Sequence, residues 1–458
     1  MSEGPVTARL SEFIAGSSAA PWPEEVLELG RRHILDTIAS IVICGERPSA
    51  RLARDFAIKQ SGGAGDRAPI LGSHHRASLP DAVFASAMTA HGAEINDFCP
   101  SAFVQPGPAV VSAGLCTATI DHAPGAALLR AVIAGYELTC RIPKALGINR
   151  GRALGYSSHG YGPVFGSAAA IASLRGYAPG TINHMLSYCA QQVSGSMQWL
   201  LDADHVEKSF VFAGMPARNG VHAALLAGSG FTGVRDCFDA PRGWFHSKQF
   251  SDAGGDYDPA YLVDDLGRRF ELPLVGYKRY PVGGPTQPVV QAMLELARSI
   301  RPAEVERVEV EMPGSVGAFA NAEMPALNLP YLCSVILIDG ALGFEMADSM
   351  ERKTTDPAVA ALMPRVTVKH DPAQEAVPRK ESARVTIQLR DGGREQVFVE
   401  HVRGYPANPM SHEDVEEKAR ELIASVLGAA RAERLIELAW NIDGLADAGV
   451  LADAMAPE

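Results

Sequence analysis

Four short clusters hold the side chains of this sequence that could do chemistry. Lys278-Arg279-Tyr280-Pro281 sets two cations and a phenol beside a proline that fixes the backbone, and Gly283-Gly284-Pro285 follows. The next apolar run, Val289 to Ala297, reads as helix. A rigid turn with adjacent Lys and Arg at a helix entrance is suited to holding a carboxylate. The formal charge of the chain is −12, so an anionic ligand needs a local positive pocket of this kind. The competing reading is a solvated Lys-Arg pair on a loop.

The second cluster is His91-Gly-Ala-Glu94-Ile-Asn96-Asp97. If residues 81–94 are helical, His91 and Glu94 fall on neighbouring faces. Carboxylates at a helix C-terminus oppose the dipole, which implies pairing or function there, against the alternative of a solvated Asn/Asp turn. The third cluster, Tyr156-Ser-Ser-His159-Gly-Tyr161-Gly-Pro163, puts a histidine just before an Ala-rich helix. That suits anion binding or proton transfer, unless it is a loop histidine without a role. In the fourth, Glu207-Lys208 precedes an apolar run ending at Gly214, so Lys208 is either a surface lysine or one aimed into a cavity.

No dinucleotide or Walker glycine loop occurs, and no His-Glu-x-x-His, G-x-S-x-G or close metal-ligand spacing. His74-His75 is a bare pair. What remains is acid–base chemistry without cofactor or metal, run by Lys, His and carboxylates. Seven scattered cysteines without a C-x-x-C pair suit a reducing cytoplasm. The start, MSEGPVTARL, shows no signal-peptide pattern, and no apolar run approaches a membrane span. The acidic balance disfavours nucleic acid.

These clusters are positioned by two textures of chain. A helix opens at Pro23-Glu24-Glu25, and Ala-rich helices follow at about 81–95, 108–120, 124–147, 163–175, 180–197 and 215–228. Small residues, as in Gly166-Ser-Ala-Ala-Ala, allow close packing. After about residue 268, strands at 307–312, 383–389 and 395–400 alternate charged and apolar residues, with a hairpin turn at Asp391-Gly392-Gly393. Helices near 285–299 and 330–347 are interleaved. From Ser411, a capping-box-like start, helices fill about 412–428 and 430–442. The expected fold is mainly α with an inserted α+β domain: helical over 1–267 and 406–458, α+β over 268–405.

The order of these pieces resembles the MmgE/PrpD family, which includes 2-methylcitrate dehydratase, cis-aconitate decarboxylase and iminodisuccinate epimerase. Leu35 to Ala39 resembles the family's early helix, His91 to Asp97 its H-A-x-D-x-D-D, and Gly135-Tyr136-Glu137 with Arg141 its G-Y-E-x-x-x-R. Ser158-His159-Gly160, Lys208 to Gly214, Lys278 to Pro281 and Asn408-Pro409-Met410 resemble later family segments. The resemblance implies a helical domain plus a smaller α+β domain, a homodimer, and a small carboxylate substrate. It implies His159, Lys208, Lys278 and Glu94 as catalytic residues converging on one interdomain cleft. Asp97, Asn96, Gln105, Arg279, Tyr280 and Tyr156 are implied as substrate contacts.

Several family positions differ. Glu94 and Asn96 stand where the family has Asp, and Phe98 where it has a hydroxyl residue. Gln105, Phe212 and Gly283 stand where it has His. The anion-binding shell is kept and the proton-transfer set is altered. A lyase losing water or carbon dioxide is the first expectation. An isomerase or epimerase, or a carboxylate-binding protein without catalysis, are the others. Phe98, Phe210 and Phe212 suggest a substrate less polar than a tricarboxylate. Because Lys278 lies on a Pro-bounded turn, its loss is expected to cost ligand and spare the fold.

Overall fold

The computed structural model describes residues 4–62, 67–247, 257–376 and 381–458. Met1 to Glu3, part of the N-terminal segment read above, lie outside them. Helices α1 (Val6–Gly16), α2 (Glu24–Cys44) and α3 (Pro48–Gln60) open the chain. A two-stranded ribbon follows, β1 (Ala68–Pro69) with β2 (Arg76–Ala77). Next come α4 (Leu79–Ala90), α5 (Gly107–Ile120), α6 (Gly125–Leu146), α7 (Ile148–Ala153), α8 (Gly162–Leu174) and α9 (Pro179–Gln191). A further helix, Met215–Gly228, continues out of the turns at 207–214.

The central helices pack through small residues. An ideal Cβ at Gly166 of α8 would lie 2.6 Å from the Gly135 carbonyl oxygen and 1.9 Å from Thr139 Oγ1, both on α6. Glycine here is what lets the two backbones touch. In α6, Arg141 Nε donates to Glu137 at 3.0 Å within the buried interior. Its other N–H groups donate to the carbonyls of Tyr261, Asp264 and Arg269 at 2.8–2.9 Å. The Glu137–Arg141 spacing thus anchors an irregular segment to the helical core.

The second texture forms a four-stranded sheet in the order β4-β3-β5-β6. Its strands are β3 (Val305–Met312), β4 (Val366–His370), β5 (Ala383–Leu389) and β6 (Arg394–Val399). β3 pairs parallel with β4 and antiparallel with β5, and β5–β6 is the hairpin closed at Gly392, where φ is +90°. Helix Gln287–Leu296 covers β5 and β6, and Leu329–Asp339 covers β4. β4 escaped the sequence reading: Val366 and Val368 alternate with Thr367 and Lys369, but five residues are too short a run to stand out.

Buried apolar side chains fall into two main clusters. One runs from Leu10 to Tyr277 and resumes from Met410 to Met455. The other spans Val282 to Tyr405 and takes in Phe98 and Phe103. On that basis we propose divisions between Tyr277 and Val282, about ten residues later than the expected 267, and near 405. The Ser411 capping box forms with Asp414, opening helix His412–Leu427. The seven cysteines are buried and unpaired. Among the described residues no helix is long and apolar enough to cross a membrane.

Gly166→Ala is expected to destabilise the protein by about 3 kcal/mol, since the added methyl meets backbone that cannot move aside. Thermal or urea melts check this; a loss under about 0.5 kcal/mol would mean that α6 and α8 separate easily.

Candidate active site

Helix α4 stops at Ala90, not at 94–95. His91 is its C-cap and Gly92 breaks it, so Glu94 sits in the irregular turn that follows rather than one helical turn from His91. The Glu94 carboxylate, 1 % exposed, is surrounded by cations. Lys208 Nζ donates to Oε1, Lys278 Nζ lies 3.1 Å from Oε2, and His205 Nε2 is 3.0 Å from Oε1. Burial would raise the pKa of Glu94, but Lys208 and Lys278 outweigh it and hold the group well below its usual 4.5. It is a permanent carboxylate. Two ammoniums against this one carboxylate leave one positive charge, with the imidazoles not counted.

Each partner arrives on a differently built segment. Lys208 stands on a single helical turn, Glu207–Ser209, that runs into a π-helical stretch, Phe210–Gly214. Such a stretch re-aims side chains relative to a regular helix. It turns Lys208 and Phe212 towards one cavity and leaves Phe210 outside, packed edge-on to Phe84 at 6.3 Å. Lys278 sits on the Pro-bounded turn and is fully buried, its ammonium also 3.5 Å from Asn96 Oδ1. Burial pushes its pKa down, with Glu94 acting against that. The expectation that Lys278 concerns ligand alone therefore changes: its removal strips a buried carboxylate of a partner. Asn96 Nδ2 donates to Gln105 Oε1 at 2.7 Å, linking Lys278 to the wall of the cavity.

His159 lies on the one-turn helix Ser158–Gly160 at the entrance of α8. Phe212 stacks on its ring with centroids 3.6 Å apart, and Nδ1 is buried without a partner. Burial, and then Lys208, push its pKa well below the usual 6.5, so the imidazole is neutral at pH 7. His91 is pushed down by burial and by His205, on which it stacks at 5.0 Å.

Glu94, Gln105, His159 and Lys208 line a cavity of about 110 Å³, with Lys278 behind Glu94. Its apolar walls come from the second main cluster, through Phe98, Phe103 and Phe319, and from a small separate cluster that holds Trp199 and Phe212. The structure thus brings Glu94, His159, Lys208 and Lys278 together. Other sequence candidates lie elsewhere. Asp97 accepts from Tyr136 Oη at 2.7 Å and from the Gly107 N–H at 3.0 Å, holding the start of α5. Arg279 and Tyr280 open onto a different cleft of about 580 Å³, and Arg279 lies 3.9 Å from Glu421. Adjacent residues on a turn diverge, so a Lys-Arg pair does not act as one site. Tyr156 bridges to Ser196 through its backbone and does not line the cavity.

Sequence reasoning missed His205, Arg152 and Trp199. His205 precedes Lys208 by three residues, a helical spacing that could have flagged it, and its φ of +58° marks a constrained backbone. Arg152 lies over the Phe103 ring at 4.9 Å, and nothing in its local sequence singled it out. Trp199 reaches the cavity from a one-turn helix after α9, which ends at Gln191 rather than 197. Among the described residues no group of His, Cys, Asp and Glu could hold a metal ion.

This arrangement agrees with comparison to known proteins. Residues 8–252 match the MmgE/PrpD N-terminal domain and residues 280–443 the MmgE/PrpD C-terminal domain. The chain belongs to the MmgE/PrpD family. A cis-aconitate decarboxylase-like protein of Aspergillus oryzae is 24% identical, over 98% of this chain and 97% of its own length. A cis-aconitate decarboxylase of Aspergillus terreus is 24% identical, over 96% of this chain and 94% of its own. The human cis-aconitate decarboxylase is 25% identical over 52% of this chain and 50% of its own.

Glu94→Gln keeps the shape and removes the charge, leaving Lys208 and Lys278 buried and uncompensated. A loss of about 3–5 kcal/mol at pH 7 is expected. Because the folded pKa is depressed, the stability Glu94 contributes is complete above 4.5 and is lost as pH falls below it. Melts of wild type and variant should therefore converge below pH 4.5; a gap constant from pH 7 to pH 3 would refute the pairing.

Proposed function

We propose that the protein is a cofactor-independent lyase acting on a small carboxylate substrate, of the decarboxylase type. The observation that carries this is the buried Lys208–Glu94–Lys278 group, one positive charge in excess, beside a neutral imidazole at a partly open cavity. A substrate carboxylate balances that charge at Lys208, the ammonium that lines the cavity. Lys278 keeps Glu94 in place, and Gln105 offers an amide to the same ligand.

Of the two acid–base candidates, Glu94 is the weaker. Two ammoniums hold it ionised, so it accepts a proton poorly. His159 is neutral and unpaired at Nδ1, and it lines the cavity. It is assigned the proton transfer at the carbon next to the carboxylate. The walls around it favour loss of carbon dioxide over loss of water. A departing hydroxide needs polar groups around it, and Phe98 and Phe212 present carbon to the cavity instead. A carboxylate set against Phe212 and Trp199 is poorly hydrated, and its charge disperses as carbon dioxide leaves. The electron pair left on carbon takes the ring N–H proton of His159, whose other nitrogen takes a proton in turn from the Lys208 ammonium, and water reprotonates the lysine. The names of the fungal and human relatives point the same way.

His159→Gln should lower kcat by about 10²–10⁴ while KM moves little. The assay is carbon dioxide release from a panel of small unsaturated acids with one to three carboxylates. Deuterium from solvent in recovered substrate, without gas, would instead establish an isomerase. Ligand-induced thermal stabilisation with no turnover would establish a binding protein.

A homodimer belongs to the same proposal, on the family resemblance. Light scattering at micromolar concentration should give about twice the chain mass of 48.6 kDa; a value near one chain mass would count against it.

A further inference from the structure

We infer that the cavity takes one carboxylate joined to a short alkyl chain and rejects a tricarboxylate. This rests on the carboxylate site proposed above and adds the nature of the rest of the substrate.

Three positions together make one wall apolar: Gly283, Phe212 and Phe98. At Gly283 an ideal Cβ would lie 2.2 Å from Leu327 Cδ2, so Leu327 fills the space a side chain at 283 would take. Phe212 covers one face of His159 at 3.6 Å, and Trp199 stands edge-on to Phe212 at 4.7 Å. Phe98 meets Phe103 edge-on at 5.8 Å and would touch any Cβ on Gly284 at 3.0 Å. Phe319 completes the lining from the α+β side. Phe103 holds this place with φ at +47°, a conformation an aromatic residue adopts at a cost. The polar lining that remains, apart from the charged cluster, includes Gln105 and Ser315.

The charges agree. The Lys208–Glu94–Lys278 group has one positive charge to give, and Arg152 is the other cation on the lining. Three carboxylates would face a net of two positive charges, Glu94 already counted, and aromatic faces that carry negative potential. The volume sets the size of the body. About 110 Å³ is somewhat below the roughly 150 Å³ of an apolar cavity that accommodates benzene.

The test is calorimetric binding to the full chain of three inert acids: propionate, hexanoate and tricarballylate. Hexanoate has three more methylenes than propionate, each worth a factor of about 4 when buried, so it should bind roughly 50-fold tighter. Tricarballylate should bind at least about tenfold more weakly than hexanoate. Phe319→Ser, at a partly exposed position, should cut the hexanoate-to-propionate ratio to under about tenfold; Leu200→Ser is the second variant should the first not fold. Lys208→Gln should weaken both monoacids alike, by tenfold or more. Equal affinity for propionate and hexanoate, both lost in Lys208→Gln, would overturn the apolar body while the carboxylate site stands. Tightest binding of tricarballylate would do the same. No binding of any acid, or binding indifferent to Lys208→Gln, would overturn the site and the inference together.

Discussion

A carboxylate taken out of water costs far more than any single packing contact returns, and Glu94 is taken out of water. It is tolerable because ammoniums from two distant parts of the chain, Lys208 and Lys278, meet it there. That requirement ties three segments to one point: the turn after α4, the π-helical stretch before Met215, and the Pro-bounded turn at 281. A second buried pair braces the first. Lys418, on the helix after Ser411, donates to Asp36 on α2 and to the Ile95 carbonyl, both at 2.6 Å. The residue next to Glu94 is thereby held by both ends of the chain.

With its charges fixed this way, the site has little freedom to act as a water-rich pocket. Aromatic rings close around His159 and Lys208; the Lys208 ammonium lies 5.2 Å from the ring centres of both Trp199 and Phe212. Cation–π contacts of this kind hold a charge in place without neutralising it, so it stays available to an anion. The same dry surroundings keep the imidazole neutral. Family membership and the apolar lining thus describe different layers. In the function proposed above, the cations take a carboxylate, and the apolar positions decide what that carboxylate is attached to.

The helical scaffold answers to the same need for precision. Close contact of α6 and α8 at Gly135 and Gly166 leaves no slack beneath the turn that carries His159. Arg141 and Glu137 hold residues 261–271 against that scaffold, just ahead of the segment that delivers Lys278. Polar groups buried at such points are satisfied by backbone carbonyls, which makes them rigid supports rather than reactive ones.

Much of this was written in local chemistry. Helices with acidic first turns, glycine stops and small-residue faces are short-range signals, as are the Asp391-Gly392-Gly393 hairpin and the Ser411 cap, and each forms where its residues call for it. The sequence also determined which residue types were at hand, Glu94, His159, Lys208 and Lys278 among them. Tertiary structure decided what each one does. Whether Glu94 was a solvated turn carboxylate or a buried one depended on ammoniums that local pattern cannot see. Whether Arg279 shared a site with Lys278 depended on the direction of a turn, and the two side chains part there. That Leu327 would fill the space beside Gly283, and that His205 would reach Glu94, depended on contacts between segments far apart in the chain. A buried charge is stable only as a member of its group, and a group assembled across such distances has no local signature in sequence.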